Sequence, residues 1–316
     1  MRTRISPLLA AAILLVALPA AAEETLKLAI GQRGNWDTAV AELGQRAGIF
    51  ARHGLKLELL YTAGGGETQQ AVISGSVDIG VAAGSAGVIG AYLKGAPVRV
   101  IGGESTGAAD YWYVPASSPV KSIKDVGGKT MAYSTNGSST HSAVLGFIKQ
   151  FGVKPTPTAT GSPPATFTQV MSRQVDIGWA APPFGLDAVA QGKIRIVARA
   201  NDLPSVKSQT VRFLIANAGT LEKRKPAIAA FLAAYRETIA WMYSNPAAIK
   251  TYAEFAKISE AQAQEARDKF FAREMLDPDR IEGLDTTLAQ AVEGKFVPNG
   301  TTKDKIAGLF QLLPRK

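Results

Sequence analysis

The run Thr135-Asn136-Gly137-Ser138-Ser139-Thr140-His141 holds the residue types best suited to gripping a small molecule. Gly137 lets the backbone turn tightly, and three successive hydroxyls then stand where a helix is predicted to begin. An anion at such a point meets the positive end of the helix dipole, worth about 0.3–1 kcal/mol and up to about 2 when partly buried. Hydrogen bonds from the hydroxyls to a charged group add about 1.5–3 kcal/mol each. Asn136, Gly137, Ser138, Ser139 and Thr140 are therefore candidate ligand contacts. A single hydroxyl is enough to cap a helix, so the plain structural reading accounts for one of the three and not for the run.

Two further loops lead from a predicted strand straight into a helix: Gly31-Gln32-Arg33-Gly34-Asn35-Trp36 and Gly84-Ser85-Ala86. In α/β sheets ligands collect at such loops, outside the carboxyl ends of the strands. Gln32, Arg33, Trp36 and Ser85 join the candidates on that ground, as does Gly65 of the turn Gly64-Gly65-Gly66. Tyr111 and Trp179 sit at predicted strand ends and could wall an apolar part of a ligand, although aromatic rings more often belong to cores. Arg33 offers a counter-charge; a loop arginine is otherwise simply solvated.

Other chemistries find little footing. His53 and His141 are the two histidines of the chain, and no group of His and carboxylates has metal-ligand spacing. Ser139 lies two positions from His141, but the G-x-S-x-G elbow of a serine hydrolase is missing, and so are phosphate and dinucleotide fingerprints. Asp78 and Asp176 could be read as paired acids; each follows a valine at the start of an apolar strand, where an aspartate more often bonds backbone. No catalytic residue, metal or cofactor is assigned.

The elements that must position these residues come in two sets. Val77-Asp78-Ile79-Gly80-Val81-Ala82-Ala83 returns as Val175-Asp176-Ile177-Gly178-Trp179-Ala180-Ala181, at an offset of 98 residues (176 − 78). At that offset Thr68 meets Thr166, Val72 meets Val170, Ser74 meets Ser172, Gly87 meets Gly185, and Trp179 replaces Val81. Two occurrences at this distance are not a solenoid; they predict two similar lobes with a cleft between them. Strands over 25–30, 55–61, 77–82 and 98–102 alternate with helices over 37–50, 67–74 and 85–93, the pattern of a parallel sheet covered on both faces. The pattern restarts at Tyr111, with strands over 111–114, 129–133, 175–179 and 194–199, a helix over 140–151, and one short edge strand within 154–164. Beyond a strand over 211–215, Ile228, Phe231, Leu232, Tyr235, Ile239 and Met242 form one apolar helical stripe. Ser259-Glu260-Ala261-Gln262 reads as a capping box for a later helix. These helices are expected to fold back on the first lobe, with hinges near 105–110 and 201–209.

Composition narrows the class. Arg2 and Arg4, the apolar run Leu8–Leu18 and Pro19-Ala20-Ala21-Ala22 read as a secretory signal peptide cleaved near Ala22. The run is too short for a spanning helix, which needs about 20 residues. The chain has no cysteine, so neither a lipid-anchored lipoprotein nor disulfide support is expected. A soluble periplasmic monomer without membrane insertion is the expectation. The net charge of +9 is spread among acids; no basic stripe or nucleic-acid motif accompanies it, while a mildly positive field favours small anions.

With these residues in hand, the chain resembles the solute-binding proteins of ABC importers, in the nitrate/sulfonate/taurine-binding group. The resemblance rests on Gly48-Ile49-Phe50-Ala51-Arg52-His53-Gly54-Leu55, Ile73-Ser74-Gly75-Ser76-Val77-Asp78-Ile79-Gly80, Ser122-Ile123-Lys124-Asp125-Val126-Gly127-Gly128-Lys129 and Gly137-Ser138-Ser139-Thr140-His141, in that order. It covers about residues 25–200. It implies an α/β type II periplasmic-binding-protein fold, two lobes joined by two hinge strands: 23–106 with 208–316, and 107–207, after a signal peptide at 1–22. It further implies capture of a small anionic solute (a sulfonate, nitrate, taurine or an organic or aromatic carboxylate) and delivery to a membrane permease. An enzyme of the same fold, a dehydratase or isomerase, and a periplasmic sensor partner are the alternatives.

Overall fold

The computed structural model describes residues 23–314; the expected signal peptide, residues 1–22, lies outside the described residues. Strand β1 (Glu24–Gly31) buries Leu26, Leu28, Ala29 and Ile30 completely, which requires cover on both faces of the sheet. It pairs in parallel with β2 (Leu55–Thr62) and β3 (Ile79–Gly84). The sheet is completed by β4 (Val98–Thr106) and, from far downstream, β10 (Thr210–Asn217), in the order β2-β1-β3-β10-β4. Strand β10 runs antiparallel to both neighbours. The expected all-parallel sheet is thus corrected to a mixed one: the chain re-enters this lobe from the other and can pair only in the reverse direction.

The second lobe repeats the arrangement. Its strands are β5 (Tyr111–Pro115), β6 (Thr130–Tyr133), β7 (Thr156–Ala159), β8 (Gly178–Ala180) and β9 (Ile194–Arg199). Strands β6 and β7 are parallel, a parallel bridge Met131–Ile177 extends β6 toward β8, and β5 lies antiparallel between β8 and β9. The order β7-β6-β8-β5-β9 matches the first lobe strand for strand. In each lobe the antiparallel strand is the one arriving from the other: β5 after β4, β10 after β9.

The repeated heptapeptide now has a physical cause. A methyl on Gly80 would collide with Ile215 and Val72, and one on Gly178 with Tyr113 and Val170, so each glycine lets a helix seat against its strand. The buried Thr68 hydroxyl pairs with Thr62 at 2.7 Å, and Thr166 pairs with Thr160 at 2.6 Å. The Asp78 carboxylate accepts the Lys27 N–H at 2.8 Å, and Asp176 accepts the Thr130 N–H at 2.9 Å. Both aspartates bond backbone of the neighbouring strand, Asp78 within β1 and Asp176 at the first residue of β6, and not within their own turn. Strand β3 starts at Ile79, two residues later than the periodicity predicts, although the Asp78 N–H already donates to the Lys27 carbonyl at 2.8 Å.

The expected helix over 37–50 is interrupted. A 3-10 turn (Asp37–Ala39) and a helix (Val40–Arg46) stop at Gly48, whose φ of 69° is left-handed, before a last turn (Ile49–Arg52). The helix Lys225–Ser244 buries Ile228, Phe231, Leu232, Tyr235, Ile239 and Met242 against Leu43, Phe50 and the first sheet, each large side chain contributing about 1.5–3 kcal/mol. The Ser259 capping box forms as read, with Ser259 Oγ accepting the Gln262 N–H.

Candidate functional site

A small chamber of about 10 Å³ lies between the lobes, where the carboxyl ends of both sets of parallel strands meet. Gly31, Gln32, Gly65 and Ala82 line it from the first lobe, Ser134, Ser138, Ser139, Thr140 and Trp179 from the second, and Asp110 and Arg212 at the crossings. That volume holds about one water molecule, so the lobes are closed upon each other. A methyl on Gly84 would overlap the Gly137 carbonyl, and the Gly66 N–H donates to Thr135 Oγ1 at 2.9 Å. Glycine at these points lets the two backbones touch.

The hydroxyl run sits as its sequence implies. Ser138 is the N-cap of the helix Ser139–Phe151, its Oγ accepting the His141 N–H at 3.2 Å. Thr140 Oγ1 accepts the Ser134 N–H at 3.0 Å and shares hydrogen bonds with the hydroxyls of Ser138 (2.9 Å) and Ser134 (3.0 Å). These three side chains are buried. A connected set of hydroxyls can reorient its protons toward an acceptor without moving a heavy atom. Trp179, also lining the chamber, has an indole N–H with no protein partner.

At the crossings lies a charge cluster that sequence reasoning missed. Arg212, buried in β10, pairs with buried Asp37, and its Nε stands 3.0 Å from Glu104 Oε2. That second contact is an ion pair only by distance: neither Glu104 oxygen has a hydrogen bond of good geometry. Burial pushes the Glu104 carboxyl up to about 8, against the pull of Arg212, and Asp110 up to about 6. Burial works against the charge on Arg212, but Asp37, Glu104 and Asp110 hold it protonated, above its ordinary range. The available signal was a charge inside an apolar run, Val211-Arg212-Phe213-Leu214-Ile215, and Glu104 closing the strand from Val98.

Several expected contacts fall elsewhere. Trp36 is fully buried in the first core, edge-on to Tyr252 at 4.9 Å and Tyr243 at 5.8 Å. Tyr111 is a core residue of the second lobe, its hydroxyl donating to the Phe184 carbonyl at 2.5 Å. The Ser85 hydroxyl donates to the Val211 carbonyl at 3.2 Å, and the Asn136 side chain accepts the Tyr133 hydroxyl at 2.6 Å. Gly137 shapes the lobe contact and does not line the chamber. His141 stacks on Tyr133 with ring centroids 4.1 Å apart; its Nδ1 accepts the Gly137 N–H at 3.3 Å, and burial lowers its pKa to about 4. That ring is neutral and does not contact a serine hydroxyl, which removes the geometry a serine–histidine pair requires. Among the described residues no group of three or more His, Cys, Asp or Glu could hold a metal ion.

Next to the chamber a vestibule of about 460 Å³ also lies between the lobes, sharing Gln32. Pro163, Pro183, Phe184 and Ile258 give it apolar walls, and Gln262 Nε2 donates to Asp187 Oδ1 at 2.7 Å from lobe to lobe beside it. Arg33 lines it, its guanidinium lying 4.4 Å from the Phe255 ring centroid. A larger cavity, about 760 Å³, runs between the helices Ser139–Phe151 and Leu284–Glu293. It opens on the flank and contains none of the hydroxyl or charge clusters.

Known proteins share this arrangement. The chain is 31% identical over 180 residues to a putative aliphatic sulfonates-binding protein of Escherichia coli strain K12, covering 55% of this chain and 53% of that one. It thus spans about half the length of that curated relative. The alkanesulfonate-binding protein SsuA from Xanthomonas axonopodis pv. citri, bound to MOPS, superimposes with a TM-score of 0.74 at 18% identity, covering 93% of this chain and 100% of that one. The desulfurization enzyme DSZB superimposes with a TM-score of 0.62 at 14% identity, over 89% and 95%. At such identities the likeness is one of fold: that of the periplasmic binding proteins. The NMT1/THI5-like family model matches residues 36–249, and with two lobes of matching strand order closed on a hydroxyl-lined chamber, the chain belongs to that family.

Proposed function

We propose that this protein is the periplasmic substrate-binding component of an ABC importer, capturing a small solute with a sulfonate or carboxylate head and presenting it to a membrane permease. The observation that carries this reading is the start of the helix Ser139–Phe151: three hydroxyls and the partnerless Trp179 N–H line a chamber buried between two lobes. Two or three charge-assisted hydrogen bonds of about 1.5–3 kcal/mol each, with the helix dipole, approach the roughly 8 kcal/mol of a micromolar binder before ordering costs. The sulfonate-binding names of the relatives agree with that head group. The vestibule gives an organic body somewhere to lie.

Lobe separation about the two crossings admits the solute, since the closed chamber is too small for passage. Opening breaks Gln262–Asp187 and the Lys149–Glu293 ion pair, both joining one lobe to the other. We place the protein in the periplasm as a monomer that binds its solute unchanged, in contrast to the enzyme sharing its fold. A thermal-shift screen of the mature protein against sulfonates, nitrate and carboxylates tests this. A solute at 100 times its Kd raises stability by about 2.7 kcal/mol. A solute consumed over time would instead make the protein an enzyme, and no shift with any anion contradicts capture.

A further inference from the structure

Two matched loops differ between the lobes. At the offset of 98 residues, Gly64-Gly65-Gly66 meets Ser162-Pro163-Pro164, and Gly84 meets Pro182. The helices Gly65–Ile73 and Pro163–Met171 nonetheless begin at equivalent positions. A helix start here therefore has no need of glycine, since proline suits its first turn. Gly66 and Gly87 stand inside helices and neither has a positive φ. Alanine fits that conformation and is the better helix former.

What these glycines answer to is the other lobe. A methyl on Gly87 would come within 2.5 Å of the Gly137 carbonyl oxygen and 3.0 Å of the Gly137 α-carbon. A methyl on Gly84 would overlap the same carbonyl, and one on Gly66 would overlap the Asn136 carbonyl. All three clashes are with backbone, which cannot swing aside as a long side chain can. All three also cross from the first lobe to the loop that carries Ser138. Resting on the capture reading above, we propose that Gly66, Gly84 and Gly87 are positioning residues, a side-chain-free seat that sets how far the lobes close. With a methyl at the seat each lobe folds as before, but the lobes stop short of the closed arrangement. The solute then meets the second lobe's hydroxyls alone and is held loosely. The bridges Gln262–Asp187 and Lys149–Glu293 join exposed side chains; such contacts contribute little, so they accompany closure and do not determine it.

The chain has no cysteine, so a pair introduced across the mouth reports closure without any solute. Asp187→Cys with Gln262→Cys, positions in contact from lobe to lobe, is treated with a short bismaleimide and the cross-linked fraction is followed in time. Adding Gly87→Ala should slow cross-linking at least about tenfold, a shift in the closed population. The melting temperature should stay within about 4 °C of the double-cysteine parent. Gly66→Ala, on the other helix, should behave alike. Gly127→Ala, whose methyl would meet nothing within 4 Å, should cross-link at the parent's rate. Cross-linking at the parent's rate in Gly87→Ala and Gly66→Ala, or equal slowing in Gly127→Ala, overturns the seat and leaves solute capture intact. Loss of the folded state in both seat variants also overturns it, because the glycines would then serve folding and not closure. Slowed cross-linking beside a flat anion screen upholds the seat and overturns capture.

Discussion

In the first lobe the loop leaving β1 runs from Gly31 to Trp36 into an uncapped 3-10 turn at Asp37; in the second the loop leaving β6 runs from Ser134 into an N-capped helix of 13 residues. The two loops occupy the same place in the topology, because Leu28 of β1 pairs with Ile79 just as Met131 of β6 bridges Ile177. Yet the first sends Trp36 and Asp37 into the interior, where Asp37 binds Arg212, and the second presents hydroxyls to the chamber. A duplicated scaffold thus holds two unlike surfaces: one lobe bonds an anion with a helix start, and the other brings charge to the crossings. What is repeated in sequence keeps the scaffold; what differs builds the site.

The comparison breaks most visibly at Arg212. Arg212→Ala leaves Asp37 buried without its cation, and such a change costs about 3–5 kcal/mol in urea unfolding. A loss of under ~1 kcal/mol, the scale of an exposed pair, would show that the cluster does not hold the crossings. Next in size is the helix start. Replacing Ser138, Ser139 and Thr140 together by Ala removes the solute-induced gain of about 2.7 kcal/mol, at a cost near 1 kcal/mol for the lost cap. An undiminished thermal shift would move the site elsewhere.

A pH series sharpens the same contrast. Glu104 is raised from 4.5 to about 8 by burial, so the folded protein holds this proton more tightly than the unfolded chain. Its contribution is fully present below about pH 4.5 and is lost as pH rises to about 8. Glu104→Gln should therefore lose less stability than wild type between pH 5 and pH 9, to within about 1 unit at either end; parallel profiles would contradict the burial of an unsatisfied carboxyl. The smallest effect tests the repeated part. Thr68→Val and Thr166→Val each remove a buried hydroxyl pair, and each should cost about 1 kcal/mol, equally in both lobes.

How much of this was legible follows the distances over which each feature is made. The heptapeptide and its threonines encode local contacts of a helix with the strand behind it, so Gly80 and Gly178 could be found by inspection. The hydroxyl run was legible because a helix start is assembled within a few residues of itself. Trp36 was not, since Tyr243 and Tyr252, which bury it, lie some 200 positions later. The reversed strand in each sheet and the meeting of Asp37, Glu104, Asp110 and Arg212 also depend on the chain crossing twice between lobes. No window of periodicity contains such a crossing.

Trp179 offers the most direct test of solute capture at the hydroxyl-lined helix start. It is one of four tryptophans in the chain and lines the chamber. Titration of the mature protein with 2-aminoethanesulfonate or ethanesulfonate, followed by tryptophan emission, should give a saturable change with one site per chain. That change should vanish in Trp179→Phe while the heat of binding remains measurable. An emission change that persists in Trp179→Phe, or no saturable change with either sulfonate in wild type, contradicts solute capture at this chamber.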